Sequence, residues 1–278
     1  MDVFIVGTDN DKVVFDELAF INKSHALSLM LSYHLLNKPS DKWILSFAND
    51  NPNIPLIALI KNTPTLIKVD NNAIIKSSLN WQSLTKRIVT AGRKSELILQ
   101  ACKLTPDMSV IDGTAGFGQD SLILASTGAD VMMVEKNPVV ALLLFYEYQS
   151  MTANPNWQKL LSRIQIYYGN FLNANFMATL PKVDRVYLDP MFPSDSYSAK
   201  VGKNMQVLHD LANPPTAHDE MLFLTIAKNQ LTNHGKIIIK RPLSAPYLAN
   251  VMPAYSIGNN AIRFDKYENS DESSLGLI

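Results

Sequence analysis

The chain has very little cysteine and no long apolar run. Cys102 is the single cysteine among 278 residues, which excludes an internal disulfide and a cysteine-based metal site and is typical of a cytoplasmic protein. The most apolar stretch, residues 139–146, is far too short to cross a bilayer. The N-terminus has no basic segment followed by an apolar one, so we expect neither a secretory signal nor a membrane partner. The five histidines show no metal-ligand spacing, and we expect no metal.

Net charge is absent as well. The chain carries 25 Lys+Arg and 25 Asp+Glu, and such a balance argues weakly against a polyanionic partner such as nucleic acid. The charges are segregated, however. Residues 1–20 hold five acidic residues and one lysine, whereas residues 80–105 hold five basic residues and one glutamate. A neutral total can therefore conceal a basic surface, although each charged segment taken alone is typical of an ordinary solvated face.

The pattern of apolar segments changes along the chain and predicts two domains. Residues 1–90 predict a small α+β domain with a helix over 24–36. Its predicted strands are 42–47, 56–60 and 65–69. In residues 91–278 short apolar strands alternate with helices, which predicts an α/β, Rossmann-like fold with a mostly parallel, doubly wound sheet. Ligands bind at the carboxyl ends of the strands in such sheets, so the residues that follow each strand are the candidates for a site.

A glycine-rich loop follows the first predicted strand of the second domain. The loop runs Asp112, Gly113, Thr114, Ala115, Gly116, Phe117, Gly118. Its glycines do not match the G-x-G-x-x-G order of dinucleotide-binding loops, which argues against a nucleotide-dependent oxidoreductase. Its aspartate suits a cationic group better than a phosphate. Glu135, 23 residues later, can accept hydrogen bonds from both hydroxyls of a ribose. Together they predict an S-adenosylmethionine (SAM) pocket that includes Asp112, Thr114, Gly116 and Glu135; the alternative is a tight turn with a surface glutamate.

The segment 189–193 (D-P-M-F-P) follows another predicted strand and indicates a class of reaction. It is similar to the [D/N]-P-P-[Y/F] motif of methyltransferases that act on exocyclic or amide nitrogens. Asp189 can accept hydrogens of the amine, Pro190 restricts the backbone, and Phe192 can stack on a flipped base. We therefore predict Asp189, Pro190 and Phe192 as catalytic residues. The alternative is a proline-rich turn that ends a strand.

Several cations flank these two motifs. Each alone is typical of an ordinary surface charge, but as a set around one rim they favour a polyanionic substrate. The predicted RNA-binding residues are Arg93, Lys200, Lys203, Lys240 and Arg241.

Four runs of residues, 112–120, 134–141, 186–193 and 240–242, resemble the bacterial RsmJ family. Its members are SAM-dependent methyltransferases that modify the N2 amine of a guanine in 16S ribosomal RNA. The resemblance implies a SAM-dependent methyltransferase fold, SAM as cofactor, and 16S rRNA or the small ribosomal subunit as partner. The SAM contacts that it implies are Gln119, Asp120, Glu135, Lys136, Asn170, Phe171 and Asp189. Among them, Asn170 is expected to hydrogen-bond the adenine edge and Phe171 to pack on its ring.

Other functions stay open on the sequence alone. One is an N-methyltransferase that acts on adenine N6 in nucleic acid or on a protein amide. Another is a non-catalytic RNA-binding module that kept the fold. The sequence does not indicate which guanine is modified, whether the substrate is naked RNA or an assembled subunit, or the oligomeric state.

Overall fold

The computed structural model describes residues 1–38, 40–92, 94–191, 211 and 214–268. Contacts within the chain group the described residues into two compact units. Unit 1 contains residues 1–83 and 137–154, and unit 2 contains residues 84–136 and the described residues from 155 onward, except Leu211. The two-domain division at residue 90 stays a prediction. The contacts add a feature that it did not include, because residues 137–154 group with the N-terminal segment.

Twelve strands and nine α-helices have their bounds within the described part of the chain. The strands are β1 (Asp2–Gly7), β2 (Met30–Leu35), β3 (Leu56–Ile60), β4 (Thr63–Asp70), β5 (Ala73–Ser77), β6 (Ser109–Asp112), β7 (Asp130–Glu135), β8 (Ile164–Tyr168), β9 (Val183–Leu188), β10 (Leu231–Pro242), β11 (Tyr255–Gly258) and β12 (Ile262–Glu268). The helices are α1 (Lys12–Ser24), α2 (Asp41–Asp50), α3 (Thr85–Thr90), α4 (Leu97–Cys102), α5 (Gln119–Ala125), α6 (Pro138–Thr152), α7 (Pro155–Leu161), α8 (Ala174–Met177) and α9 (Ala217–Asn229). None of these helices combines the length and the apolarity that a bilayer crossing requires.

Unit 1 is built on a five-stranded sheet in the order β2-β1-β3-β4-β5. β1 pairs in parallel with β2 and β3, and the remaining pairs are antiparallel. The strands predicted at 56–60 and 65–69 are confirmed as β3 and part of β4. Helix α6 packs on α1 within this unit, where the rings of His25 and Phe145 stack with centroids 3.6 Å apart.

Two local predictions for unit 1 were wrong. The segment 24–36 does not form the predicted helix: α1 ends at Ser24, and residues 30–35 form strand β2. The strand predicted over 42–47 is helix α2, which begins after Ser40 because the Ser40 side chain accepts a hydrogen bond from the backbone N–H of Trp43. Strand β1, with the buried residues Val3, Ile5 and Val6, was not predicted.

Unit 2 is built on a seven-stranded sheet in the order β11-β12-β10-β9-β6-β7-β8. The five strands from β10 to β8 are parallel, and β12 is antiparallel to β10. This sheet confirms the predicted Rossmann-like fold. From β6 the chain runs outward through β7 to β8 and then returns to place β9 on the other side of β6. The carboxyl ends of β6 and β9 therefore flank a topological switch point, where open α/β sheets bind their ligands.

Candidate active site at the switch point

The strand register brings three candidate residues of unit 2 together. Asp112 of β6 pairs with Tyr187 of β9, and Tyr187 pairs with Ile238 of β10. Asp189 lies two residues beyond Tyr187, and Lys240 lies two residues beyond Ile238. Because side chains alternate along strands, residues two apart share a face of the sheet. Asp189 and Lys240 therefore lie side by side at the carboxyl ends of β9 and β10.

The glycine loop passes close over the end of the sheet. The backbone N–H of Gly113 donates to the carbonyl of Tyr187 at 2.9 Å. A Cβ at Gly113 would overlap the Phe171 ring and approach Cδ2 of Leu188 to 2.7 Å. Gly116 and Gly118 have φ values of 54° and 73°, in the left-handed region that favours glycine. The loop backbone is thus held close to the core.

Asp112 fixes the start of this loop from inside. Its side chain accepts hydrogen bonds from Oγ of Ser121 at 2.5 Å and from the backbone N–H of Thr114 at 3.2 Å. The residue is only 2% exposed, and burial raises the pKa of its carboxyl to about 7 against the opposing effect of the Ser121 hydrogen bond. In this structure Asp112 therefore shapes the loop; its predicted contact with SAM stays a prediction.

Glu135 ties the same loop to the next strand. It ends β7, is 8% exposed, and accepts a hydrogen bond at Oε2 from the backbone N–H of Gly116 at 2.9 Å. This contact orients the carboxylate beside the middle of the loop. An acid at the end of the second strand is where a ribose is recognised in folds of this kind.

The predicted catalytic motif begins on the same edge. The backbone N–H of Asp189 donates to Oγ1 of Thr114 at 2.6 Å, so the motif is joined to the glycine loop. Pro190 is buried, and the Asp189 side chain is 24% exposed. Phe192 lies outside the described residues, as do Arg93, Lys200 and Lys203 of the predicted RNA-binding set.

An ionic cluster surrounds the Asp189 carboxylate. Nζ of Lys240 lies 2.8 Å from Oδ2 of Asp189 and 3.0 Å from Oδ2 of Asp120. The phenol of Tyr187 donates to the same Asp120 oxygen at 2.6 Å. Burial alone would raise the pKa of Asp120, but the Lys240 charge and these hydrogen bonds outweigh it and lower that pKa. Asp120, predicted as a SAM contact, is thus engaged by two protein donors.

Two predicted contact residues are buried by the protein itself. Arg241 is 2% exposed and pairs with Glu220, with Nη1 3.4 Å from Oε1; its predicted contact with RNA stays a prediction. Phe171 is 2% exposed and stacks on Phe223 in the core, with centroids 5.7 Å apart, and its ring lies against Gly113; its predicted packing on the adenine stays a prediction. Lys240 is held by the two carboxylates described above.

The other predicted SAM contacts are on the surface of the same edge. Gln119 at the start of α5, Lys136 after β7, and Asn170 after β8 are exposed. Oδ1 of Asn170 accepts from the backbone N–H of Leu172 at 3.0 Å, which shapes the turn. Their contacts with SAM stay predictions.

Tyr187 and Ser121 were missed by the sequence reasoning. Tyr187 lies two residues before Asp189, so strand alternation alone could have placed both side chains on one face. Ser121 carried no signal, because its hydroxyl meets Asp112 only after α5 has packed on the sheet.

The residues of this edge fit SAM. The glycine loop allows close approach of a ligand, and Glu135 lies where a ribose would be bound. The carboxylates Asp120 and Asp189 make the surroundings acidic, as suits a ligand with a sulfonium and an ammonium group. Among the described residues, no group of acidic, histidine and cysteine side chains has the arrangement of a metal site.

Known proteins are similar to this chain in sequence and in fold. The family model described as "Putative SAM-dependent methyltransferase" matches residues 39–269. Ribosomal RNA small subunit methyltransferase J of Psychrobacter arcticus is 48% identical over 228 residues, which cover 73% of this chain and 77% of the relative. The protein of the same name from Acinetobacter baumannii (strain ACICU) is 32% identical over 249 residues, or 83% of each chain. A SAM-dependent methyltransferase crystal structure from Neisseria gonorrhoeae superposes with a TM-score of 0.66 at 25% identity, covering 98% of this chain and 97% of that one.

Proposed function

Because the chain belongs to the SAM-dependent methyltransferase family, and within it to the RsmJ family, we propose that it methylates the exocyclic N2 of a guanine in 16S ribosomal RNA. The relatives' names support small-subunit ribosomal RNA as the substrate. The choice of guanine N2 rests on the resemblance of the 189–193 segment and its neighbouring motifs to the RsmJ family.

The observation that carries the proposal is the placement of Asp189. It lies at the switch point, joined to the glycine loop through Thr114 and paired with Lys240. The lone pair of an exocyclic amine is delocalised into the base and is a poor nucleophile. A fixed carboxylate that accepts a hydrogen of the amine favours a pyramidal nitrogen with its lone pair directed at the electrophile. In the proposed reaction Asp189 has this role.

SAM, when bound, supplies the methyl group on a positively charged sulfur. In this chain the glycine loop and Glu135 would hold it, with the loop backbone close to the ligand and the Glu135 carboxylate on the ribose. Buried Pro190 restricts the backbone after Asp189, so the carboxylate stays where β9 ends. The protein's contribution is therefore orientation and a fixed hydrogen-bond acceptor.

The test is methyl transfer to small-subunit RNA that lacks the modification. Purified protein is incubated with labelled SAM and either naked 16S rRNA or 30S subunits from a strain without the homologous gene. Digested nucleosides are then separated by mass spectrometry. We expect N2-methylguanosine at one site, and none with Asp189→Ala, whose fold is checked by circular dichroism. Methylation of adenine N6 instead would overturn the choice of nitrogen, and methylation of a protein only would overturn RNA as the substrate.

A retained wild-type rate in Asp189→Ala would overturn the role of this carboxylate. Tight RNA binding with no transfer to any substrate would favour the non-catalytic RNA-binding module. The naked and assembled substrates also serve as matched arms, since they contain the same RNA sequence and differ in shape.

A further inference from the structure

We infer that Lys240 is a positioning residue for methyl transfer, which holds the Asp189 carboxylate ionised and in a fixed orientation. The inference deepens the proposed function and rests on it for the identity of the reaction. It replaces the prediction that Lys240 contacts RNA. It also gives a role to Asp120 and Tyr187, which complete the cluster.

The backbone dictates that Lys240 meets Asp189. Ile239 of β10 is paired in parallel with Leu188 of β9, and the next residue of each strand is Lys240 and Asp189. Both strands are held at this end by buried neighbours, since Leu188 and Ile239 are fully buried. The lysine therefore reaches the carboxylate from an adjacent, rigid strand, and the 2.8 Å contact needs no movement of a loop.

The charges at this edge require a cation. Two carboxylates, Asp120 and Asp189, lie within 3.0 Å of the same ammonium nitrogen. Without a positive charge between them, two partly buried carboxylates would favour protonation of one, because like charges disfavour ionisation. A protonated Asp189 would carry no negative charge and would be a weaker acceptor for the hydrogens of the substrate amine. Burial lowers the pKa of Lys240, but the charges and hydrogen bonds of Asp189 and Asp120 outweigh it and raise that pKa, which agrees with a lysine that stays charged.

Within residues 1–38, 40–92, 94–191 and 214–268, the other groups that face the cluster do not replace this cation. Tyr187 from β9 donates a neutral hydroxyl to Asp120, and Asp112 from β6 adds a further carboxyl. Arg87 from α3 acts on Asp120 electrostatically but is paired with Glu96 at 2.8 Å. Lys240 contacts Oδ2 of Asp189 directly, at 2.8 Å.

Access argues against an RNA phosphate as the main partner of Lys240. Its side chain is 21% exposed, and two of the three ammonium donors are directed at carboxylates. Lys236, four residues earlier on β10, offers the contrast. It is 33% exposed and pairs with Glu268 at 2.9 Å, on the surface of the strand.

The experiment compares Lys240→Met, Lys240→Arg and the matched control Lys236→Met. In the transfer assay we expect Lys240→Met to lower kcat by about 100-fold, the order of the loss when a reacting group is misplaced, with the KM for SAM changed by less than about threefold. The acid limb of its kcat–pH profile should move to higher pH. Lys240→Arg should recover part of the rate, and Lys236→Met should match the wild type.

A second measurement needs no RNA. Aspartate carboxyl carbons are labelled with ¹³C in the free protein, and the Asp189 signal is assigned by its loss in Asp189→Asn. We expect Lys240→Met to raise the midpoint of that titration by about one pH unit or more, as for a carboxylate that loses a nearby cation. A purely structural lysine would change stability without moving this midpoint.

The two arms separate the possible failures. If the wild type methylates no RNA but the midpoint moves, the proposed function fails and the Lys240–Asp189 coupling stands without its catalytic reading. An unmoved midpoint overturns the inference whatever the activity. Wild-type kcat in Lys240→Met, or an equal loss in Lys236→Met, also overturns it.

Discussion

Thr114 accepts a hydrogen bond from the backbone N–H of Asp189 at 2.6 Å, across 75 residues of sequence. The hydroxyl belongs to the loop that would hold the cofactor, and the amide belongs to the residue that would hold the substrate amine. One bond thus fixes the distance between the two halves of the site. The first prediction tests it.

Replacing Thr114 by Val removes the acceptor and keeps the shape of the side chain. The Asp189 N–H then loses its partner, and an unmet donor in a partly buried place costs about 1–3 kcal/mol. We expect kcat/KM for methyl transfer to fall at least about tenfold, measured in steady state with saturating RNA. Thr114→Ser keeps the hydroxyl and should stay near the wild type. Equal losses in both variants would contradict the role of the bond.

Glu135 should govern the affinity for SAM. Glu135→Ala removes both the tie to Gly116 and the proposed ribose acceptor, so calorimetry should show binding weakened by about 10- to 100-fold, as for lost hydrogen bonds to a charged group. Glu135→Gln keeps an acceptor for the Gly116 amide and should lose less. An affinity equal to the wild type in Glu135→Ala would remove this residue from the pocket.

Asp112 should make stability fall as the pH rises. Burial raises the pKa of its carboxyl to about 7 in the folded chain, from an ordinary value of 3.8. The folded state therefore keeps a proton that the unfolded state loses between about pH 4 and pH 7, and this contribution is lost as the pH rises through that window. Relative to Asp112→Asn, the wild type should lose up to about 4 kcal/mol of unfolding free energy across it.

Urea unfolding of both proteins at pH 4.5, 6 and 7.5 measures this difference. The asparagine mimics the protonated carboxyl in size and does not titrate, so charges elsewhere in the chain cancel in the comparison. Curves for the two proteins that run parallel from pH 4.5 to 7.5 would contradict a raised pKa at Asp112.

Gly113 should tolerate no side chain. A Cβ there would overlap the Phe171 ring and lie 2.7 Å from Cδ2 of Leu188, both in the core. We expect Gly113→Ala to lower the unfolding free energy by about 1–3 kcal/mol, the usual cost of overpacking. Gly92→Ala is the control, because the nearest atom to its Cβ is Oγ of Ser95 at 4.0 Å. A thermal melt of Gly113→Ala that matches this control would contradict the packing described here.

The sequence was sufficient for six of the seven strands of the large sheet, all but the edge strand β11, and for only part of unit 1. In unit 2 the apolar strands are short, buried and separated by clear loops, so their alternation was readable. In unit 1 the edge strand β2 is only partly buried, with Met30 and Leu35 exposed, so no clean alternation marked it. The segment of α2 carries Trp43, Ile44 and Phe47, an apolar set that fits a short strand unless the Ser40 cap is recognised.

The residues of the candidate site, too, could be predicted from the sequence only in part. Asp189, Glu135 and the glycine loop could be located because each follows a strand. Lys240 was picked out as a cation but assigned to RNA, since its two carboxylate partners lie 51 and 120 residues away along the chain. Contacts between residues so far apart in sequence depend on the strand order, which places β10 beside β9. No local sequence pattern contains this strand order.

Helix α6 belongs to unit 1 but is synthesised long after the rest of that unit. Trp81 donates its backbone N–H to Glu147 of this helix at 2.7 Å, and His25 stacks on Phe145. These partners are made more than sixty residues after residue 83, once β6 and β7 have been translated. A nascent chain that ends at residue 90 therefore lacks helix α6, which packs on α1 in the first unit. Complete co-translational folding of the N-terminal segment must wait until the middle of the polypeptide has been made.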